Sequence, residues 1–296
     1  MPTPFIPKRP LAALALAAGA ALALAGCGTS APSEDTIVVG SQAYYSNEII
    51  AEIYAQALEH DGVAVERQFN VGQRDAYIPL LESGEIDVFP EYSGNLLQYF
   101  DPDTDARSST DVIAALPGAL PEGLVVLDQA AATDQDSYTV TAAFAAQHKL
   151  AAIPDLAGVT EPLTLGGPPE LAERPYGPDG LASVYGIEVG FSPTGDTTVE
   201  DLLAGTVNVA NVYTADPRTQ TEDLVVLEDP KGLFLASHVV PVVGASLADR
   251  VAATLNAVSA ALTPADLVAL NVQSTVDQRS SADIAAQWLA ERGLLG

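Results

Sequence analysis

An internal echo constrains this chain more than any other feature. "LLESGEIDVFPEY" (Leu80 to Tyr92) and "LLAGTVNVANVY" (Leu202 to Tyr213) each read as a helix end, a glycine turn, a short strand and a terminal tyrosine. The tyrosines stand eight residues after Gly84 and Gly205, and 121 residues apart (92 to 213). A chain of 296 residues has room for two similar α/β lobes, each presenting the end of an equivalent strand to a shared crevice. Ligands of open α/β sheets bind outside the carboxyl ends of the strands, where Tyr92 and Tyr213 would stand.

The rest of the pattern agrees with α/β. "TIVVG", "VAVERQF", "LVVLDQA", "SYTVTAA", "LTLGG", "DLVVLED" and "ASHVVPVV" read as strands, with helical stretches between most of them. Ile49, Ile50, Ile53, Tyr54, Ala57 and Leu58 form one helical stripe. From Leu247 the periodicity is helical, with starts marked by Thr263, Pro264 and Asp266 and again by Ser280 to Asp283. Mostly parallel sheets covered by helices are expected.

The first residues set the compartment. Lys8 and Arg9 precede the apolar "LAALALAAGAALALAG" (Leu11 to Gly26), which is short and ends in small residues, as in a signal peptide. Leu24-Ala25-Gly26-Cys27 resembles a bacterial lipobox, so Cys27 is the expected lipidation site and the mature N-terminus. Residues 1–26 are then the leader and residues 27–35 a tether, which places the protein outside the cytoplasm, anchored to the membrane. Cys27 is the only cysteine, which excludes a disulfide within the chain. Two of the 12 basic residues lie in the leader, leaving ten against 39 acidic ones, a net charge of −29. That balance opposes nucleic-acid binding and flat adsorption on anionic lipid. No apolar run beyond the leader is long enough to cross a bilayer.

Facing tyrosine rings suit a cation that cannot donate hydrogen bonds, such as a trimethylammonium group, at roughly 0.5–2 kcal/mol per contact. At "VGSQAYYSNEIIAEIYAQALE", "LLESGEIDVFPEYSGNLL", "LTLGGPPELAERPYGPDGLASVYGI" and "DLVVLEDPKGLF" the chain resembles the osmoprotectant-binding lipoproteins of ABC importers. That group binds glycine betaine, choline, carnitine and related quaternary amines. The resemblance implies an α/β, two-lobed periplasmic-binding-protein fold of type II, with two hinge crossings and a ligand cleft between the lobes. It implies a monomer that needs no cofactor and works with a permease and an ATPase. Residues 36–136 plus 239–296 would form the first lobe and residues 137–238 the second. Matched to the family's motifs, Tyr92, Tyr138 and Tyr213 are cage rings and closure sets Tyr92 opposite Tyr213. Arg174 would meet a ligand carboxylate. Gln42 stands where many relatives carry lysine, and Asn95 where they often have threonine. Ser237 replaces a further cage tyrosine, so Tyr44 or Tyr45 is expected to complete the cage, with His238 available as a hydrogen-bonding group.

Other chemistries find little support. "DPDTDARSSTDV" (Asp101 to Val112) lacks the glycine and the final glutamate of a calcium loop, and "LGGPPE" lacks the lysine-hydroxyl ending of a phosphate loop. His60, His148 and His238 show no metal spacing, and no serine stands in a nucleophile elbow. The chain reads as a receptor rather than an enzyme. The alternatives are a bulkier betaine-like or amino-acid ligand, or a sensor docking on a membrane signalling protein.

Overall fold

Gly84 and Gly205, the two echoed glycines, both adopt a left-handed backbone with φ of +74°. Glycine does so without the Cβ clash that other residues meet, and each ends a helix just before a strand. The first of these helices spans Arg74–Ser83 and the second Thr198–Leu203. The computed structural model describes residues 36–295; the leader, Cys27 and the tether lie outside them.

Among the described residues ten strands follow in chain order: β1 (Ile37–Gly40), β2 (Val65–Gln68), β3 (Val88–Tyr92), β4 (Leu124–Val126), β5 (Asp136–Thr141), β6 (Thr164–Gly167), β7 (Gly190–Pro193), β8 (Val209–Tyr213), β9 (Leu224–Val226) and β10 (Val239–Gly244). They form two five-stranded sheets, in the orders β2-β1-β3-β10-β4 and β7-β6-β8-β5-β9. The echoed strands β3 and β8 each lie at the centre of a sheet. Each has a parallel neighbour on one side (β1 or β6) and an antiparallel one on the other (β10 or β5). Tyr92 pairs with Val239, and Tyr213 with Asp136, the first residues of β10 and β5. The echo is therefore a structural equivalence, and both tyrosines stand where the chain has just crossed between lobes.

One expectation needs correction, and one strand went unread. The sheets are mixed rather than mostly parallel, because the strands that follow the crossings, β5 and β10, run against both of their neighbours. β7 carries no strand signal: it is an edge strand rich in turn-forming residues ("GFSP") and partly exposed, so neither burial nor alternation marks it.

Both faces of each sheet are covered. Along β3, Val88 and Tyr92 join the core beneath helix Tyr45–His60, whereas Phe89 joins Tyr77, Leu96 and Leu97 on the opposite face. Helix Tyr45–His60 buries the stripe from Ile49 to Leu58 and packs on helices Ala248–Ala261 and Ser281–Glu291, with Trp288 closing the core. Thr263 and Asp266 form a capping box, and Ser280 accepts from the Asp283 N–H, as their spacing predicts. The second sheet is covered by Leu165, Leu181 and Phe234 on one face and by Val199, Leu202 and Val212 on the other. The two crossings run side by side, joined by the antiparallel bridge between Thr133 and His238. Among the described residues no single helix is long and apolar enough to cross a membrane.

Candidate functional site

The loop after β1 is held open-side-out by Asn47. Its Oδ1 accepts the Gln42 N–H at 2.9 Å while its Nδ2 donates to the Pro90 carbonyl at 2.8 Å. That clamp delivers Tyr44 and Tyr45 to the end of the second sheet. The Tyr44 ring lies 5.2 Å from Tyr213 and 4.7 Å from Tyr45, tilted to both. Three contiguous rings thus form one wall of a cavity of about 550 Å³, shared with Gln42, Asn211 and Asp216.

Asp134, in the first crossing, sits behind that wall. One oxygen accepts the Tyr44 hydroxyl at 3.1 Å, and the other accepts the Ala215 N–H at 2.9 Å. Burial raises its pKa from 3.8 to about 7. Burial also lifts the Tyr44 and Tyr213 phenols well above their ordinary value, with Asp134 and Asp136 adding to it, so both rings stay neutral and keep their electron-rich faces. Asp216 is paired bidentately with Arg218, at 2.7 and 3.0 Å.

A recess of about 20 Å³ adjoins this cavity, lined by Gln73, Arg74, Asp136, Arg174, Tyr176 and Tyr213 among others. The Arg174 side chain makes no hydrogen bond or ion pair with any described residue, while its backbone is held by Leu171 and Gly177. Arg74 is different: its guanidinium holds Glu91 at 2.9 and 2.7 Å in a buried pair. Tyr77 and the Tyr92 N–H also donate to that carboxylate. Sequence reasoning missed this pair, although one carboxylate inside the otherwise apolar run "VFPEY" signals a buried partner.

Of the residues singled out by sequence, Tyr44, Gln42 and Tyr213 come together at the cavity and Arg174 reaches the adjoining recess. Tyr92 does not face Tyr213. It is 5% exposed and packs in the first lobe's core, and Tyr44 occupies the facing position because the β1 loop folds over the end of β3. Its hydroxyl lies beside Ser46 and Asn47 without reaching hydrogen-bonding geometry with any described residue. Tyr138 is fully buried in the second lobe, edge-on to Phe234, with its hydroxyl donating to the Tyr176 carbonyl. The alternation of β5 points it inward. His238 packs at the hinge, its Nδ1 2.9 Å from the Ala130 carbonyl. Ser237 leaves no gap: it is fully buried and its hydroxyl accepts the Gly94 and Asn95 N–H groups at the start of helix Ser93–Phe100. Asn95 in turn donates to Asp136 at 2.6 Å.

Comparison with known proteins joins this geometry to a family. Residues 35–291 match the substrate binding domain of ABC-type glycine betaine transport systems. The chain belongs to that family. Among its curated relatives is the glycine betaine-binding protein YehZ of Escherichia coli, 26% identical over 300 residues that cover 95% of this chain and 98% of the relative. A glycine-betaine-binding protein of Pseudomonas aeruginosa is 27% identical over 285 residues, covering 88% of this chain and 89% of that protein. The crystal structure of a glycine betaine/carnitine/choline ABC transporter protein has the same fold, with a TM-score of 0.73 at 19% identity, covering 88% of this chain and 100% of that one. As a member of the family the chain is an extracytoplasmic solute receptor for ABC import and not an enzyme. The fold is the two-lobed type II arrangement read from the sequence.

Proposed function

We propose that this receptor captures a quaternary-ammonium solute in the cavity walled by Tyr44, Tyr45 and Tyr213 and passes it to its ABC permease. The observation that carries the reading is the 5.2 Å approach of Tyr44 to Tyr213, which brings rings from opposite lobes to one cavity. A fully methylated nitrogen cannot donate hydrogen bonds, and its diffuse positive charge is best met by ring faces. Asp134 behind the rings adds favourable charge without competing for the solute's surface. The half-buried Arg174 side chain, unpaired among the described residues, suits a carboxylate at the solute's other end, because a guanidinium donates two parallel hydrogen bonds. The names of the YehZ and Pseudomonas relatives point to the same solute class.

Closure of the lobes over the solute gives the permease a state it distinguishes from the open one. The receptor acts as a monomer, tethered by lipid on Cys27 with residues 27–35 as the leash and residues 1–26 removed. Residues 36–136 with 239–296, and residues 137–238, are the units that close.

Calorimetric titration with glycine betaine, choline and carnitine, each beside its dimethylamino analogue, tests the reading. The trimethylated member of a pair is expected to bind at least tenfold more tightly. Equal affinities within every pair would overturn it.

A further inference from the structure

A narrow space beside Asp136, at the end of the first crossing, is nearly filled by the protein itself. Between helix Ser93–Phe100 and the loop after β6 only about 10 Å³ remains, bordered by Asn95, Asp136, Tyr176 and Phe234 among others. The Tyr176 side chain is one of its walls. It is 8% exposed and lies 5.7 Å from Phe234, whose other neighbour, at 5.0 Å, is Tyr138. Tyr176 lines the recess beside the 550 Å³ cavity, whereas Phe234 and Tyr138 line neither, so the Tyr176 ring separates that recess from the aromatic pair.

Three sets of contacts keep the ring there. From behind, Tyr138 donates its hydroxyl to the Tyr176 carbonyl. From the first lobe, Asn95 donates to the Tyr176 hydroxyl at 3.4 Å and to Asp136 at 2.6 Å, while its own carbonyl accepts the Ser237 hydroxyl at 2.7 Å. The loop is itself fixed by glycine: a Cβ on Gly177 would lie 2.0 Å from the Leu171 carbonyl oxygen, and one on Gly180 only 1.8 Å from that of Pro175. A larger residue at either position would move the segment carrying Tyr176.

We infer that Tyr176, pinned by Asn95, is a plug that sets how deep the solute sits, confining its ammonium group to the wall formed by Tyr44, Tyr45 and Tyr213. This rests on the quaternary-ammonium reading above and adds to it a residue that determines specificity by exclusion. Removing the ring leaves a chamber faced by Tyr138 and Phe234 and edged by Asn95 and Asp136, suited to a compact methylated cation.

The probe is tetramethylammonium, which has no tail to anchor it elsewhere. Its affinity is measured by calorimetry in the wild type, Tyr176→Ala and Tyr176→Phe, each with and without Tyr213→Ala. In the wild type and Tyr176→Phe, which keeps the ring, Tyr213→Ala is expected to weaken binding about tenfold. In Tyr176→Ala, affinity is expected to rise about tenfold and to lose its dependence on Tyr213, since the cation moves inward. A fall in affinity would make Tyr176 a cage ring, and a retained Tyr213 dependence would leave the cation at the outer wall; either overturns the plug. If Tyr176→Ala shows no cooperative thermal transition, Asn95→Ala, which frees the ring without deleting it, decides: a smaller rise supports the plug and no rise overturns it. A wild type that binds no quaternary amine would instead bring down the reading of function.

Discussion

Tyr44 donates its phenol proton to Asp134 over 3.1 Å, tying the loop after β1 to the first crossing between the lobes. Tyr45, Tyr92, Tyr213, Asp136 and Asp216 act on this pair, and none of them is a cation. Burial has raised the Asp134 pKa from 3.8 to about 7, and that of Asp136 in the same direction. A folded-state pKa above the unfolded one means the folded chain keeps a proton that the unfolded chain has released. Stability therefore falls as pH rises from about 4 to about 7 and levels off beyond, by at most on the order of 4 kcal/mol from Asp134. Thermal melts should give a higher Tm at pH 5.5 than at pH 8, and Asp134→Asn should shrink the difference. Affinity for choline should move the other way, strengthening as Asp134 ionises. A Tm that rises with pH over this range would contradict the assignment.

The wall of rings makes a prediction that separates binding from packing. Tyr44→Ala and Tyr213→Ala each remove a cavity face and should weaken trimethylammonium binding at least tenfold, about 1.4 kcal/mol. Tyr92→Ala removes a ring buried behind Tyr44, so its main cost should be stability, about 3–5 kcal/mol as for other buried aromatics. Calorimetry and chemical denaturation on the same three variants distinguish the roles; an equal affinity loss for Tyr92→Ala and Tyr213→Ala would place Tyr92 at the solute after all.

How much of this was legible in sequence depended on whether a signal was local. The glycine turns, the capping residues Thr263 and Ser280, and the helical stripe from Ile49 to Leu58 are local, and the structure follows them. The equivalence of Tyr92 and Tyr213 was readable too, since both end central strands of matching sheets. Which tyrosine then faces Tyr213 depended on a clamp between Asn47 and residues five before and forty-three after it, and no period or spacing encodes that. Tyr138 shows the same limit: strand alternation is visible, but which face looks into the cleft is decided by packing on Phe234. Tyr176 lay within a motif that drew attention to Arg174, and its neighbouring glycines were the available sign of a tightly folded loop.

The Arg174 side chain has no hydrogen-bond or ion-pair partner among the described residues to lose, so Arg174→Ala should leave stability nearly unchanged, within the roughly ±0.5 kcal/mol typical of surface substitutions. Its effect should appear in selectivity. Glycine betaine and carnitine, which carry a carboxylate, should lose five- to tenfold or more in affinity, whereas choline, with a hydroxyl in that place, should lose little. Titration of the variant with all three solutes checks this; parallel losses for choline and carnitine would put Arg174 outside the carboxylate site.

The buried Arg74–Glu91 pair, whose Arg74 lines the recess, should be costly to break from either side. Glu91 is fully buried, with two bonds from Arg74, one from Tyr77 and one from the Tyr92 N–H. Deleting only the cation in Arg74→Met leaves that carboxylate buried without its counter-charge, which destabilises typical folds by about 3–5 kcal/mol. Replacing both partners in Arg74→Met/Glu91→Leu removes the unpaired charge as well, so the double variant should recover much of the loss. Urea denaturation of the two single variants and the double one measures the coupling. Additive losses would show that the pair does not act as a unit, and that β3 is held in place by its apolar neighbours alone.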